Sequence, residues 1–215
     1  QSLARADGGG NGGGDGAQKE GMYWVNDLAP QADPRLEYAF ADGAATGLPA
    51  ASADLVTIGL VLHEMPAQAT ADMLSECYRI LKPGGAVCVM EMDGNVAPGY
   101  RELRRNPLLY SLIRSTEPYL DDYFRSAEDI PAKLAKLGFD AAVQSSATGR
   151  HFTLVAFKGE AEGGGAGVLD GLSGAGAEGA VARDVGGMRY LDLRTEEAYL
   201  EADEHLLSWE QGPRA

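Results

Sequence analysis

His63 and Glu64 follow directly on the apolar run Asp54 to Leu62. An imidazole at such a strand end can take a proton from a hydroxyl or an amine, provided its pKa lies near the working pH. The alternative is that His63 caps the strand or the helix that comes next. Asp42 precedes Gly43, where a carboxylate either accepts a ligand's hydrogen bond or closes an ordinary turn. Asp27 ends a short apolar run, Met22 to Val25, and begins Asp27-Leu28-Ala29-Pro30. Glu117, Tyr119 and Tyr123 lie close together in Ser115 to Tyr123, and either face a substrate or belong to a solvated lid. Cys77 and Cys88 have no metal-ligand spacing, so they read as buried thiols, and no metal site is expected. Arg150 and His151 read as surface residues of a turn.

The elements that must position these groups follow from periodicity. Met22 to Asp27 and Leu36 to Ala41 are short strand candidates. Asp54 to Leu62 is nearly continuous in apolar and β-branched residues, the pattern of a central parallel strand covered on both faces. Pro66 opens a helix to about Leu81 with Met73, Cys77 and Ile80 or Leu81 on one face, and Lys82-Pro83-Gly84-Gly85 ends it. Ala86 to Met92 is the next buried strand, and Pro98 to Phe124 holds a helix or two over the mouth of a pocket. Ser126, with Asp129 in the capping-box position, caps a helix to Leu137 that Gly138 stops. Phe139 to Ser145 and Phe152 to Phe157 form an antiparallel hairpin across Ala147 to Arg150. The order is that of an α/β, Rossmann-like doubly wound sheet with an antiparallel C-terminal hairpin.

Composition divides the chain. Seven glycines lie in Gly8 to Gly16 and ten in Gly163 to Gly187, so two short tracts hold over half of the 29 and cannot pack a core. Residues 1–20 are therefore expected to be a disordered leader, 21–159 the main domain, 160–187 a linker, and 188–215 an acidic tail with a short strand, Met188 to Leu193, and a helix capped by Thr195. Of the 32 acidic residues, 12 fall in residues 160–215, against four arginines, which makes the tail a candidate protein-contact surface. A net charge of −14 disfavours nucleic acid as a partner. No apolar run is long enough to span a bilayer, so a soluble intracellular protein is expected. The first residue is Gln1, and the native start is expected to lie upstream.

Four segments in order carry a family resemblance: Ala41-Asp42-Gly43 with Gly47-Leu48-Pro49, Ser52 to Val56, Val61-Leu62-His63-Glu64, and Arg79-Ile80-Leu81-Lys82-Pro83-Gly84-Gly85. Together they resemble the middle and later motifs of class I S-adenosylmethionine-dependent methyltransferases. The resemblance implies methyl transfer to a small-molecule acceptor with S-adenosylmethionine as cofactor. It implies that Asp42 accepts from the adenine amino group, that Gly43 and Ala44 offer backbone contacts to the same ring, and that Asp27 binds the ribose hydroxyls. It puts His63 beside the methyl group as a candidate catalytic base, and Glu64, Glu117, Tyr119 and Tyr123 around the acceptor. Ser115 to Tyr123 resembles a stretch in a subset of these enzymes, within the insertion that shapes the acceptor pocket.

The chain departs from the family upstream. No strand with a following glycine-spaced turn precedes Asp27, so the fold is expected to be incomplete on its N-terminal side. The segment between Asp27 and Leu36 is too short for the family's intervening helix. In the family the first strand sits beside the fourth, and Met22 to Val25 or Met188 to Leu193 is a candidate for that slot. The competing functional reading is a non-catalytic methyltransferase-like scaffold that binds no cofactor.

Overall fold

The computed structural model describes residues 23–24, 35, 39–159, 169–171 and 180–202. Two short strands, β1 (Tyr23–Trp24) and β2 (Ala39–Phe40), pair antiparallel as a separate ribbon. The main sheet has six strands: β3 (Ala53–Gly59), β4 (Leu81–Met92), β5 (Phe139–Ser146), β6 (His151–Lys158), β7 (Val181–Val185) and β8 (Met188–Asp192), in the order β3-β4-β6-β5-β8-β7. β3 runs parallel to β4 and β5 parallel to β8, and the other neighbours are antiparallel. Among the α-helices of the described residues are α1 (Ala67–Ile80), α2 (Pro98–Arg104), α3 (Pro107–Thr116), α4 (Leu120–Ser126) and α5 (Ile130–Leu137). The α/β architecture and the C-terminal hairpin are those expected.

The main core lies on one face of the sheet, and a smaller buried cluster of Ala141, Leu169 and Leu191 stands apart from it. Val87 and Val89 of β4, with Phe152, Leu154 and Ala156 of β6, alternate inward and meet Leu74 and Cys77 of α1, Leu120 and Tyr123 of α4, and Leu134 of α5. Their neighbours Cys88, Met90 and Val155 point to the other face and are half-buried. Among the described residues the expected two-sided burial is thus realised only in part. β3 departs furthest: Leu55 is 58% exposed, and among the described strands β3 pairs with β4 alone. Neither candidate for the slot beside it takes that place, since Tyr23–Trp24 pairs with β2 and Met188–Asp192 joins β5 at the opposite side of the sheet. An apolar run states what burial a strand tolerates; its neighbours come from elsewhere in the chain.

Local signals set the boundaries. The Lys82 to Gly85 segment enters β4 as an irregularity, where the register passes from Ala53↔Leu81 to Leu55↔Ala86. Pro98, Pro107 and Pro131 stand in the first turns of α2, α3 and α5, where the missing N–H costs nothing. Ser126 does not cap the last of these. Its hydroxyl donates to the Tyr123 carbonyl at the end of α4, and a 3-10 turn, Ala127–Asp129, leads into α5. Proline at α5's first turn and the continuing helical backbone at Ser126 leave no extended cap residue for a capping box. Gly138, at φ +100°, ends α5 in the left-handed region as anticipated.

The start of the tail is part of the sheet. Val181–Val185 and Met188–Asp192 pair across Gly186-Gly187, whose φ values of +60° and +91° suit the two-residue hairpin turn. Thr195 caps the following helix by accepting from the Ala198 N–H at 3.1 Å. Arg194 donates to Asp93 and Asp192, and the Tyr199 hydroxyl donates to Asp93 at 2.6 Å. The Asp27 segment, the glycine-rich leader and most of the expected linker lie outside the described residues.

Candidate functional site

β3 ends at Gly59, and a single 3-10 turn, Leu62–Glu64, carries His63 back over the end of β4. There its side chain is 4% exposed and its Nδ1 lies 2.6 Å from Oε1 of Glu91, a residue with no exposure at all. Glu91 is fixed in turn by the Leu62 N–H at 2.7 Å and the Met92 N–H at 2.8 Å. With Nδ1–H donated to Glu91, the lone pair of the neutral ring sits on Nε2. Nε2 faces two more carboxylates: Oε2 of Glu117 at 3.1 Å and Oε1 of Glu64 at 3.8 Å. Burial alone pulls the His63 pKa down, but the Glu91 hydrogen bond and the charges of Glu91, Glu117 and Glu64 outweigh it and hold the pKa above 6.5.

Of the expected acceptor-side residues, His63, Glu64, Glu117 and Tyr123 come together. Tyr123 is a wall: its ring meets the imidazole edge-on at 6.2 Å, and its hydroxyl donates to the Met92 carbonyl. Tyr119 is half-buried at the N-cap of α4, where its carbonyl accepts from the Tyr123 N–H. Glu91 is the residue that sequence reasoning missed. The signal was present, because in Val87-Cys88-Val89-Met90-Glu91 the acid falls in phase with the inward valines. His151, expected at the surface, is half-buried opposite Met92, and burial lowers its pKa. Arg150 is exposed as expected.

The Asp42 loop is built as a turn. Asp42 Oδ1 accepts the Ala44 N–H at 2.8 Å, and its carbonyl accepts the Ala45 N–H at 3.0 Å. Beyond it, Glu76 of α1 accepts from both the backbone N–H and the hydroxyl of Thr46, and Arg79 donates to the Leu48 carbonyl. The Arg79 guanidinium holds the Glu76 carboxyl down to about 2, with the Thr46 donors acting against the cost of burial. Between this tethered loop, β3 and α1 lies a cleft of about 260 Å³ lined by Gly43, Val56, Ile58, Val61, Met73 and Ile80. Val61 joins the cleft to the turn that holds His63.

An α/β sheet with a loop-bounded apolar cleft beside a strand end is a Rossmann-like arrangement. Residues 18–89 match the family described as a methyltransferase domain. The chain is 33% identical over 133 residues to the demethylmenaquinone methyltransferase of Lysinibacillus sphaericus, covering 58% of this chain and 56% of that protein. To the demethylmenaquinone methyltransferase of Oceanobacillus iheyensis it is 34% identical over 110 residues, covering 46% and 45%. The chain thus spans about half the length of the curated relatives it matches. Among solved structures it is similar to Haemonchus contortus phosphoethanolamine N-methyltransferase 2, at a TM-score of 0.44, 18% identity, and 60% and 39% coverage. It is also similar to an Archaeoglobus fulgidus SAM-dependent methyltransferase, at 0.41, 14%, and 55% and 66%. The family match and both relatives thus mark part of this chain, residues 18–89 above all, as similar to a methyltransferase domain. No helix among the described residues is long and apolar enough to cross a membrane.

Proposed function

We propose that this chain takes part in methyl transfer from S-adenosylmethionine to a small-molecule acceptor bearing an ionisable O–H or N–H. The observation that carries this reading is the His63–Glu91 pair, with Nε2 turned away from Glu91, at the strand end that adjoins the apolar cleft. The cleft suits a flat, largely apolar ring: Val56, Ile58, Met73 and Ile80 give it walls, and Thr46 and Glu76 give it a polar rim next to Gly43. Asp42, with Gly43 and Ala44, would hold the adenine there. Because the Ala44 N–H already serves the turn, its contact to a ring would use the carbonyl or side chain. Asp27 remains the proposed ribose ligand. When bound, S-adenosylmethionine supplies a methyl group on a positively charged sulfur, ready for attack by a nucleophile.

The chain's own work is then alignment and proton handling. Holding the acceptor in line is an entropic gain that can lower the barrier by about 7–11 kcal/mol without a dedicated base. For an acceptor that must lose a proton, Nε2 of His63 receives it, and Glu91 stabilises the imidazolium that results. Tyr123 and the buried face of β4 keep water from the Nδ1 side.

Calorimetric titration with S-adenosylhomocysteine tests the cofactor half. Binding in the micromolar range, about −8 kcal/mol, is expected. Asp42→Ala is expected to weaken it by about 1–3 kcal/mol. Unchanged affinity in that variant overturns the adenine assignment. That β3 has no second partner among the described strands favours a second reading, a scaffold that binds no cofactor, and a folded sample without binding supports it. For the proton half, His63→Ala is expected to lower kcat by about 100-fold or more in a methyl-transfer assay while leaving cofactor affinity intact.

A further inference from the structure

We propose that His63, Glu64 and Glu117 together bind a divalent transition-metal cation. One ligand atom from each lies within 4.8 Å of the others. The two distances from Nε2, 3.1 Å and 3.8 Å, bracket the separation of about 3.4 Å between ligands of a tetrahedral ion bound at about 2.1 Å. The three residues reach this point from two elements: the 3-10 turn after β3 supplies His63 and Glu64, and the end of α3 supplies Glu117.

Two further observations point to a ligand. First, Oε2 of Glu117 is buried and receives no hydrogen bond, although Nε2 of His63 is its close neighbour. A buried carboxylate oxygen in that state is costly unless a proton or a cation completes it. Second, Glu91 orients His63 in the way that outer-sphere carboxylates orient metal-bound histidines: it accepts from Nδ1, is itself anchored by backbone N–H groups, and leaves Nε2 as the ligating atom. Three carboxylates surround one imidazole, so a divalent charge fits the local field. One nitrogen and two carboxylates are too few donors for a calcium cage, and they match zinc, cobalt or manganese. Glu64, half-exposed at 51%, gives the ion a path from solvent and leaves a fourth position for water or a substrate atom.

Cation and proton compete for the same lone pair on Nε2. The metal-loaded protein therefore cannot use His63 as a base, and a bound cation would hold methyl transfer off. Binding itself is independent of the methyl-transfer reading, and the test needs neither cofactor nor acceptor. Chelator-treated protein is titrated with Co²⁺, followed by its visible absorption, and with Zn²⁺ by calorimetry. One ion per chain in the micromolar range or tighter is expected. His63→Asn and Glu117→Gln are each expected to weaken it by at least about tenfold, and Glu91→Gln by about 10- to 100-fold through the lost outer-sphere bond. His151→Asn and Cys88→Ser should leave it unchanged. Glu117 is partly exposed, so its variant reports even if the His63 variant fails to fold. A folded protein that binds no cation, or whose binding ignores both His63→Asn and Glu117→Gln, overturns the proposal and leaves a proton as the occupant.

Discussion

At the scale of single residues, the site depends on groups whose partners are remote in sequence. Glu91 serves four donors at once, the Leu62, His63 and Met92 N–H groups and the His63 ring. Glu91→Ala strands them in a dry site and is expected to cost about 1–3 kcal/mol, measured by urea unfolding. Cys77 gives a contrasting case, because burial pushes its thiol up to about 11, with the Glu76 charge adding to the effect. Its alkylation at pH 8 should be slow in the native protein and complete on unfolding, and fast labelling without unfolding would contradict the packing around α1. The types and places of His63, Glu64 and Glu117 were legible in the sequence. Their convergence on one point was not, because 52 residues of intervening chain separate Glu64 from Glu117 and no local pattern records which loop returns to which.

At the scale of elements, α1 does two jobs. Its inner stripe of Leu74, Cys77 and Ile80 packs the core, while Glu76 and Arg79 tie down the loop from Asp42 to Leu48. The Glu76 carboxyl titrates lower in the folded chain than in the unfolded one. Its contribution is therefore fully present above about 4.5 and is lost as pH falls toward about 2. Glu76→Gln should flatten the acid limb of stability in that window, as followed by circular dichroism, and should loosen the 42–48 loop in hydrogen exchange. The caps give a second comparison. Asn106, whose side chain accepts from the Leu109 N–H at 3.1 Å, is expected to cost about 1 kcal/mol when changed to Ala. Ser126→Ala, at the position that sequence reasoning favoured, should be nearly neutral in the same melts. The capping box read there was a residue pattern without the extended backbone that makes it work.

At the scale of the whole molecule, the described part of the tail, residues 188–202, belongs to the fold. Arg194 is 5% exposed and bridges Asp93, just past β4, to Asp192 at the end of β8, and Tyr199 seals the same carboxylate from outside. Removing Arg194 leaves Asp93 charged and buried. Arg194→Met should therefore destabilise the protein by about 3–5 kcal/mol in equilibrium unfolding, and Asp93→Asn in the same chain should recover part of the loss. If the single variant melts like the parent, the tail is only tethered. The hairpin that brings it there had a readable signal in Gly186-Gly187 between two alternating runs. The glycine-rich tract upstream obscured it, and β7 was not anticipated.

Sequence alone determined what short-range physics controls: where α1 and α5 run, the β5–β6 hairpin, the turn at Asp42, and a motif order similar to that of a methyltransferase domain. Each of these depends on residues a few positions apart, through backbone preference, turn chemistry or strand alternation. Tertiary structure alone decided that β3 stands at the edge, that one sheet face is packed and the other half-covered, and that Glu91 orients His63 toward Glu117. Those outcomes depend on which distant segment arrives to pair or pack. An apolar strand or a buried acid states only its requirement for a partner, and the folded chain supplies it.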